Sequence, residues 1–477
     1  MSLSAAMKTA QSSFSNTALQ TAVAAKNIAN ASNTAYARRS AVLVTADSGA
    51  TVVGTQRAQN EALLKQNLLS ISKSFAQDTL LSGLQQMKMM LGGEDYELSP
   101  STYLAKLRDN MQAFADKPNE VSLAETVIAN AVDVANSLTS TSLALQQMRA
   151  DADADIATSV NELNRLLREF KTYNDQVKQG TAAGNDVNDA LDQRDKLLTE
   201  ISAIVGVSTL KRANNDIALY TSDGTVLFET EPRSVTFTQT ATYTAAVTGN
   251  QIYIEGVAIA AGKGGNTSGQ GTLSALLQIR DNIAPTFQTQ LDEMARALVS
   301  MFAETDPNPP NAQMDGLFTW SGVPTVGSPG IAAVITVNPA LITAQAGNPM
   351  LLRDGINFTY NTTGDASYSA MLDRYATSFE ESRTFDASAG IDTTGSILKF
   401  STTSVGWLEQ LRSAATTAGD DKAALLGRTQ EALLNVTAVS LDEELALLLD
   451  LEQSYKASAK LLAAVDEMIA ALLAAAG

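Results

Sequence analysis

Apolar positions recur at alternating steps of four and three at both ends of the chain. Leu3, Met7, Ala10, Phe14, Thr17, Thr21, Ala24 and Ile28 carry that spacing at the front, and Leu448, Leu451, Tyr455, Ser458, Leu462, Val465, Ile469 and Leu472 carry it at the back. Both stretches predict long helices with heptad seams. Proline placement agrees, since a proline ring breaks a helix interior. Every proline lies between Pro100 and Pro349, and neither Gly nor Pro occurs before Gly49 or from Arg428 to Ala476. The helical period continues from Leu63 to Val205, with interruptions at Gly92-Gly93 and Pro100, and returns from Leu273 to Met301. The run Asp306 to Asn311 ends that stretch, and helix resumes near Val405 with a break expected around Ala418-Gly419-Asp420.

From about Gly206 the period falls to two. Ile217 and Leu219 approach Asp223-Gly224, and Val226 and Phe228 leave it, which reads as a hairpin around an Asp-Gly turn. Residues 315–400 read as loops and strands. The pattern therefore predicts a mainly α chain with a β-rich insertion, its long terminal helices pairing as a coiled coil beside a central helical bundle and a smaller outer β domain. The expected division places 1–50 and 436–477 in a terminal helical part, 51–205, 272–312 and 402–435 in the bundle, and 206–271 and 313–401 in the β-rich part.

Composition narrows the chemistry. The 477 residues include no histidine and no cysteine, which excludes imidazole-based triads, thiol nucleophiles, disulfides and the usual zinc sites. With 33 Lys+Arg against 51 Asp+Glu, a net charge of −18 disfavours a polyanion as partner, so no nucleic acid is expected. No apolar run reaches a membrane span and the front lacks the pattern of a cleaved signal peptide, so neither membrane insertion nor a cleaved leader is expected.

Charge also distinguishes the two ends. Lys8, Lys26, Arg38 and Arg39 stand without an acid in the first 46 residues, whereas Asp442, Glu443, Glu444, Asp450, Glu452, Asp466 and Glu467 outnumber Lys456 and Lys460 at the back. Opposite charge favours docking of the two helices, weakly for each exposed pair. Seams this rich in Ala, Ser and Thr bury too little apolar area to offset ordering entropy alone. Completion by neighbouring molecules is therefore predicted.

The carboxylate clusters offer little catalysis. Asp151, Asp153 and Asp155 have the alternate spacing of a calcium loop but lack its glycine and final glutamate, and on a helix they point apart, which reads as solvated residues or as an N-terminal turn. Asp192 and Lys196 form an i,i+4 pair on what reads as a solvated helix face. Asp442, Glu443 and Glu444 fit a helix start capped by Ser440. The run Gly262 to Gly271 misses the phosphate-loop spacings and reads as a flexible linker. Trp320 allows stacking on a sugar but reads better as a core or loop anchor. No catalytic residue, cofactor or metal is expected.

The segment Ala25-Lys26-Asn27-Ile28-Ala29-Asn30-Ala31-Ser32-Asn33-Thr34 resembles the N-terminal motif of bacterial flagellar axial proteins, and Leu441 to Leu445 with Leu451 to Lys460 resembles their C-terminal motif. Leu191-Asp192-Gln193-Arg194-Asp195-Lys196-Leu197-Leu198, followed by Gly206-Val207, is similar to an internal helix of the hook-associated protein 1, or hook-filament junction, family. Thr34-Ala35-Tyr36-Ala37-Arg38-Arg39 departs from that family in lacking a Pro-Gly turn. The resemblance implies a structural, non-enzymatic role with no cofactor, in which the chain self-assembles helically through its terminal helices into an extracellular junction. The neighbours it implies are the hook protein and the third hook-associated protein, with a cytoplasmic export chaperone on the C-terminal helix and export without a cleaved signal. The residues expected at the assembly interface are Leu3, Met7, Phe14, Asn27, Ile28, Asn30, Leu448, Leu451, Tyr455, Leu462, Val465, Ile469 and Leu472. The alternatives are another axial protein, such as the third hook-associated protein or a flagellin, or a surface protein with a carbohydrate-binding or enzymatic outer domain.

Overall fold

A computed structural model describes residues 3–46, 49–308 and 312–476. Pro309, Pro310 and Asn311 of the expected break lie outside the described residues. In chain order the elements are α1 (Leu3–Ala29), β1 (Arg39–Ala46), β2 (Gly49–Arg57), α2 (Glu61–Met90), α3 (Pro100–Asp116), α4 (Val121–Ala183) and α5 (Asn188–Ile204). There follow β3 (Val207–Lys211), β4 (Ile217–Thr221), β5 (Val226–Phe228), α6 (Thr272–Gln278), a π-helical turn (Ile279–Ile283), α7 (Ala284–Met301), α8 (Leu351–Asp354), α9 (Ala370–Ser378), α10 (Ile397–Thr437) and α11 (Leu441–Ala476). The fold is mainly α, with long terminal helices, a helical middle and only small sheets in the insertion. Two compact units divide it: residues 1–74, 162–235 and 422–477 form one, and 75–161 with 236–421 form the other.

In the first unit, α1 packs on α11 and the antiparallel hairpin β1–β2 packs on α1. The antiparallel sheet β3–β4–β5 turns at Gly224, whose φ of 89° suits a residue without Cβ. Phe228 on β5 meets Phe170 on α4 edge to face at 5.1 Å, a favoured ring geometry. Leu163, Leu166, Leu167, Leu197, Leu198 and Ile201 are buried in this unit, so the period of 3.6 read from the sequence marks its core.

In the second unit one apolar cluster joins Leu80, Leu84 and Met87 of α2, Leu104, Leu107 and Phe114 of α3, Val127 to Leu138 of α4, and Phe287 to Leu298 of α7. Ser99 caps α3 by accepting from Thr102 N–H, with Pro100 in the first turn, where its missing N–H costs nothing.

Several expectations are corrected here. The front of the chain is not helical to Ala46: Arg39–Ala46 and Gly49–Arg57 form a ribbon, because the β-branched Val42, Val44 and Thr45 on one strand and Thr51, Val52 and Val53 on the other favour a pleated backbone. No break occurs at Ala418-Gly419-Asp420; α10 runs through it, since buried Ala415 and Ala418 carry the apolar face past the glycine. The actual break falls between Thr437 and Leu441. Within 315–400, α9 forms where Met371, Leu372, Tyr375 and Ala376 are buried at helical spacing.

The glycine run is a fixed loop rather than a linker. Thr267 N–H donates to Gln77 Oε1 at 3.1 Å, Thr267 Oγ1 to Gln278 Oε1 at 2.6 Å, and Gln77 Nε2 to Gly265 O at 2.9 Å. A Cβ on Gly265 would stand 2.8 Å from Leu411 O, so glycine there serves close approach to α10. Trp320 packs against the core and donates from Nε1 to Pro324 O at 2.9 Å, holding its own loop.

The three alternating aspartates do not share one environment. Asp153 is buried and accepts from Arg280 Nη1 at 2.6 Å, Tyr243 OH at 2.6 Å and Thr240 N–H at 2.8 Å. The Arg280 side chain is fully buried, and it also donates to Asp281. We expect Asp153→Ala to cost about 3 kcal/mol, because it leaves part of a buried guanidinium unpaired. Asp151→Ala, at an exposed neighbour, should stay within about 0.5 kcal/mol of wild type. Urea midpoints of the two variants check the difference, and equal losses would refute the buried pair's role.

Candidate functional site

The terminal helices run in opposite directions, with Ser13 Oγ 2.7 Å from Ser458 Oγ and the Phe14 ring edge-on to Tyr455 at 4.8 Å. Each seam has two rows spaced by seven. Ala10, Thr17 and Ala24 on α1 and Leu451, Ser458 and Val465 on α11 are buried. Short side chains on α1 and at Ser458 let the two backbones approach, and the heptad spacing keeps these rows facing one another along the pair. The second rows are covered less well. Phe14, Ile28, Leu448, Leu462 and Ile469 are half-buried, while Met7 is 44% exposed, Tyr455 52% and Thr21 is open to solvent.

Beyond the seam, α11 carries a stripe that remains largely exposed among the described residues. Leu441, Leu445 and Leu449 follow one another at steps of four and are 47%, 52% and 62% exposed. Leu461, Met468, Leu472 and Leu473 are exposed farther along. Of the expected interface residues, Leu451 and Val465 are thus spent within the chain, Leu472 is open, and the side chain of Leu3 lies outside the described residues.

A polar anchor sits where α1 hands over to the hairpin. Asn27, fully buried, donates from Nδ2 to Arg39 O at 2.8 Å and accepts at Oδ1 from Arg39 N–H at 3.0 Å and Tyr36 OH at 2.8 Å. Its side-chain amide thereby acts as a strand partner for one residue of β1. The Arg39 guanidinium lies 4.7 Å from the centre of the Tyr36 ring, a cation–π contact. Asn30, by contrast, bonds within its own helix, Nδ2 to Lys26 O at 2.9 Å. The Asn-x-x-Asn spacing of the motif therefore joins two unlike jobs.

Charged residues extend the anchor to α5. Arg39 and Arg57 face each other across the hairpin base. Arg39 Nη2 reaches Asp189 at 2.6 Å and Asp192 at 2.9 Å, and Arg57 pairs with Asp192 at 3.4 Å and with Asp195. Lys26 of α1 adds a bond to Asp189 at 3.1 Å. The solvated face expected for Leu191 to Lys196 is corrected: Asp192 and Arg194 are buried, and Lys196 turns instead toward Glu200 at 3.8 Å. Burial pushes the Asp192 carboxyl above its ordinary value against the pull of Arg57 and Arg39. Partial desolvation opposes ionisation of the largely exposed Asp189, but hydrogen bonds from Arg39 and Lys26 outweigh it and hold that carboxyl low.

A second tie closes on the back arm. Arg38 N–H donates to Thr437 O at 2.8 Å, and Arg38 Nε to the fully buried Glu444 at 2.7 Å. Glu444 thus does more than favour a helix start, and the Ser440 cap is a long contact of 3.4 Å to Glu443 N–H. Sequence reasoning counted Arg38, Arg39 and Glu444 only as charges of the two arms and passed over Arg57. The signals available were that opposite charge, which the Arg38–Glu444 pair realises, and the spacing of three in Asp189, Asp192 and Asp195, which aligns carboxylates on one helix face.

Known proteins resemble this chain in the same regions. A family model described as the flagellar hook-associated protein FlgK helical domain matches residues 84–307, and one described as flagellar basal body rod FlgEFG protein C-terminal matches residues 430–475. Flagellar hook-associated protein 1 of Bacillus subtilis is 24% identical, over 97% of this chain and 96% of that protein. The protein of the same name in Salmonella typhimurium is 25% identical over 43% of this chain and 38% of its own length. A solved structure of the flagellar hook junction protein FlgK from Burkholderia pseudomallei covers 54% of this chain and 47% of that chain, at 19% identity and a TM-score of 0.42.

Asn27→Ala should cost about 2–3 kcal/mol, since the buried N–H and C=O of Arg39 both lose their partner. Asn30→Ala should cost less than about 1 kcal/mol, because a local side-chain bond to the preceding turn is all it removes. Thermal melts, with amide exchange followed at Arg39, check the pair. Equal effects would contradict the division of labour between the two asparagines.

Proposed function

We propose that this chain, which belongs to the family of flagellar hook-associated protein 1, builds the junction between hook and filament of a bacterial flagellum by helical self-assembly through α1 and α11. The role is structural. What supports the assembly step is the incomplete cover of the terminal pair: half-buried outer rows on both seams and the open stripe Leu441, Leu445 and Leu449 on α11. Exposed apolar residues in line on one helix face mark an interaction surface. A pair this narrow gains most of its remaining burial from other copies. Contacts that repeat head to tail without closing generate an open helical array.

In this reading Met7, Phe14, Ile28, Leu448, Tyr455, Leu462, Ile469 and Leu472 bear on neighbours, while Leu451 and Val465 hold the pair itself together. Asn27 and Asn30 act from within the chain. The hook protein and the third hook-associated protein are the axial neighbours on either side, and a cytoplasmic chaperone covers the leucines of α11 before export. The chain works outside the cell as part of the flagellum, having left without a cleaved signal, and performs no catalysis. The division into terminal, helical and outer parts at the boundaries read from the sequence belongs to the same proposal.

The test uses a strain lacking the chain's own gene. That strain should carry bare hooks and release unpolymerised flagellin, and wild-type chain should restore filaments and motility. Leu445→Asp/Leu449→Asp should fail to restore them, while the purified variant melts within about 2 °C of wild type, because neither residue is packed in the monomer. Val465→Asp should instead lower the protection of α1 and α11 in the monomer itself. Normal motility with the double variant would remove the main support for the reading.

A further inference from the structure

The hairpin β1–β2 is attached to α5 in an unusual manner. Its apolar side chains do not make the attachment: Leu43, Val44 and Val53 are 47%, 50% and 62% exposed. Polar groups make it instead. Thr55 Oγ1 donates to Asp186 Oδ2 at 2.8 Å, Asn188 Nδ2 to Thr55 O at 3.2 Å, and the cross-strand pair Arg39 and Arg57 grips Asp189, Asp192 and Asp195. The three aspartates stand three apart, so one face of α5 presents them in a row. Asp192 lies between the two guanidiniums, hydrogen-bonded to Arg39 at 2.9 Å and ion-paired with Arg57 at 3.4 Å, and three of the five side chains, Arg39, Arg57 and Asp192, are at least nine-tenths buried.

The rest of the terminal arm hangs on this ribbon. Asn16 of α1 donates to Ala50 O and accepts from Val52 N–H at 2.9 Å, and Ser12 donates to Ala50 O at 2.8 Å. Next to the hairpin base, Arg38 holds Glu444 at the start of α11. Thus α5, the ribbon, α1 and α11 are joined in series by directional polar contacts. Apolar attraction is non-directional, so it discriminates weakly between nearby orientations. A buried set of ion pairs discriminates strongly, since any displaced member becomes an uncompensated charge.

We infer that the Arg39/Arg57 clamp on Asp189, Asp192 and Asp195 is a positioning latch, which sets the single direction in which α1 and α11 leave α5 and so presents their open faces correctly to neighbouring copies. The inference rests on the self-assembly reading for its consequence, but not for the latch itself. Exchange of the latch charges is the means to separate a positioning role from simple packing. Arg57→Glu and Asp195→Arg each place like charges together, and Asp195 is the less buried partner, so the reversed pair can be accommodated. Asp189→Asn, at a largely exposed carboxylate, supplies a mild variant that folds in any case.

The full-length chain is used throughout. Amide exchange is followed in residues 39–57 against residues 207–221 of β3 and β4, and polymer formation is followed by sedimentation and electron microscopy. Each single reversal should speed exchange in the hairpin by about tenfold or more with β3 and β4 unchanged, and should suppress polymers; about tenfold corresponds to 1.4 kcal/mol. Asp189→Asn should do the same to a smaller extent. The double variant Arg57→Glu/Asp195→Arg should recover protection and assembly in part, because the acid at position 57 regains a cation at position 195 but also stands beside Asp192. Unchanged exchange in the single variants, no recovery in the double variant, or polymers of normal yield from a chain with a loosened hairpin would each overturn the latch. Failure of wild-type chain to polymerise would count against the self-assembly reading alone, and the exchange contrast would still decide whether the clamp holds the arm.

Discussion

Everything at the ends of this chain depends on a seam that is narrow by composition. Alanine and hydroxyl residues at the buried row of α1 bring two backbones close together, but they cover little area. A helix pair needs a wider apolar contact than one row provides. The larger side chains have been left for the outer rows and for the far side of α11. Stability within the chain and availability to neighbours are therefore allotted to different faces of the same helices. Close approach is the condition for both, because bulkier residues at Ala10, Thr17 or Ala24 would separate the helices and turn the outer rows away from each other.

Polar groups do the remaining work of placing that pair. Asn27 substitutes for a strand, Arg38 reaches across to Glu444, and two arginines grip a row of aspartates. These contacts are not a large source of net stability, since desolvation consumes most of what buried ion pairs gain. They are costly to break one member at a time, which is what confers a single geometry. The second unit uses the same device around Arg280 and Asp153, where a π-helical turn at Ile279–Ile283 accompanies a fully buried guanidinium. In both units, the charged groups that order the structure had the look of ordinary solvated residues.

Much of the helical architecture was legible because long elements advertise their period. The seams of α1 and α11, the hairpin at Gly224 and the interruption between α2 and α3 at Gly92-Gly93 and Pro100 all fall where spacing and turn chemistry put them. The ribbon β1–β2 lies in a stretch whose first strand lacks both glycine and proline, so its local signs are only the β-branched Val42, Val44, Thr45, Thr51, Val52 and Val53. Asp153 and Asp192 could not be sorted from Asp151 and Asp155 by local pattern, since each sits on a helix and differs only in what another segment brings to it. The order of the glycine run from Gly262 is likewise absent from its local pattern, since it comes from Gln77, far away along the chain, and from Gln278 on the helix that follows.

What the sequence determined by itself is what depends on neighbours a few residues apart: helix period, turn positions, the opposite charge of the two arms, and motifs whose resemblance pointed to the flagellar axial proteins. The absence of histidine and cysteine excluded whole classes of chemistry at the same level. Tertiary structure alone decided which carboxylates are buried, which seam rows face inward, and which leucines remain uncovered. Those properties arise from segments far apart along the chain, and burial is a property of the neighbour that arrives rather than of the residue that waits.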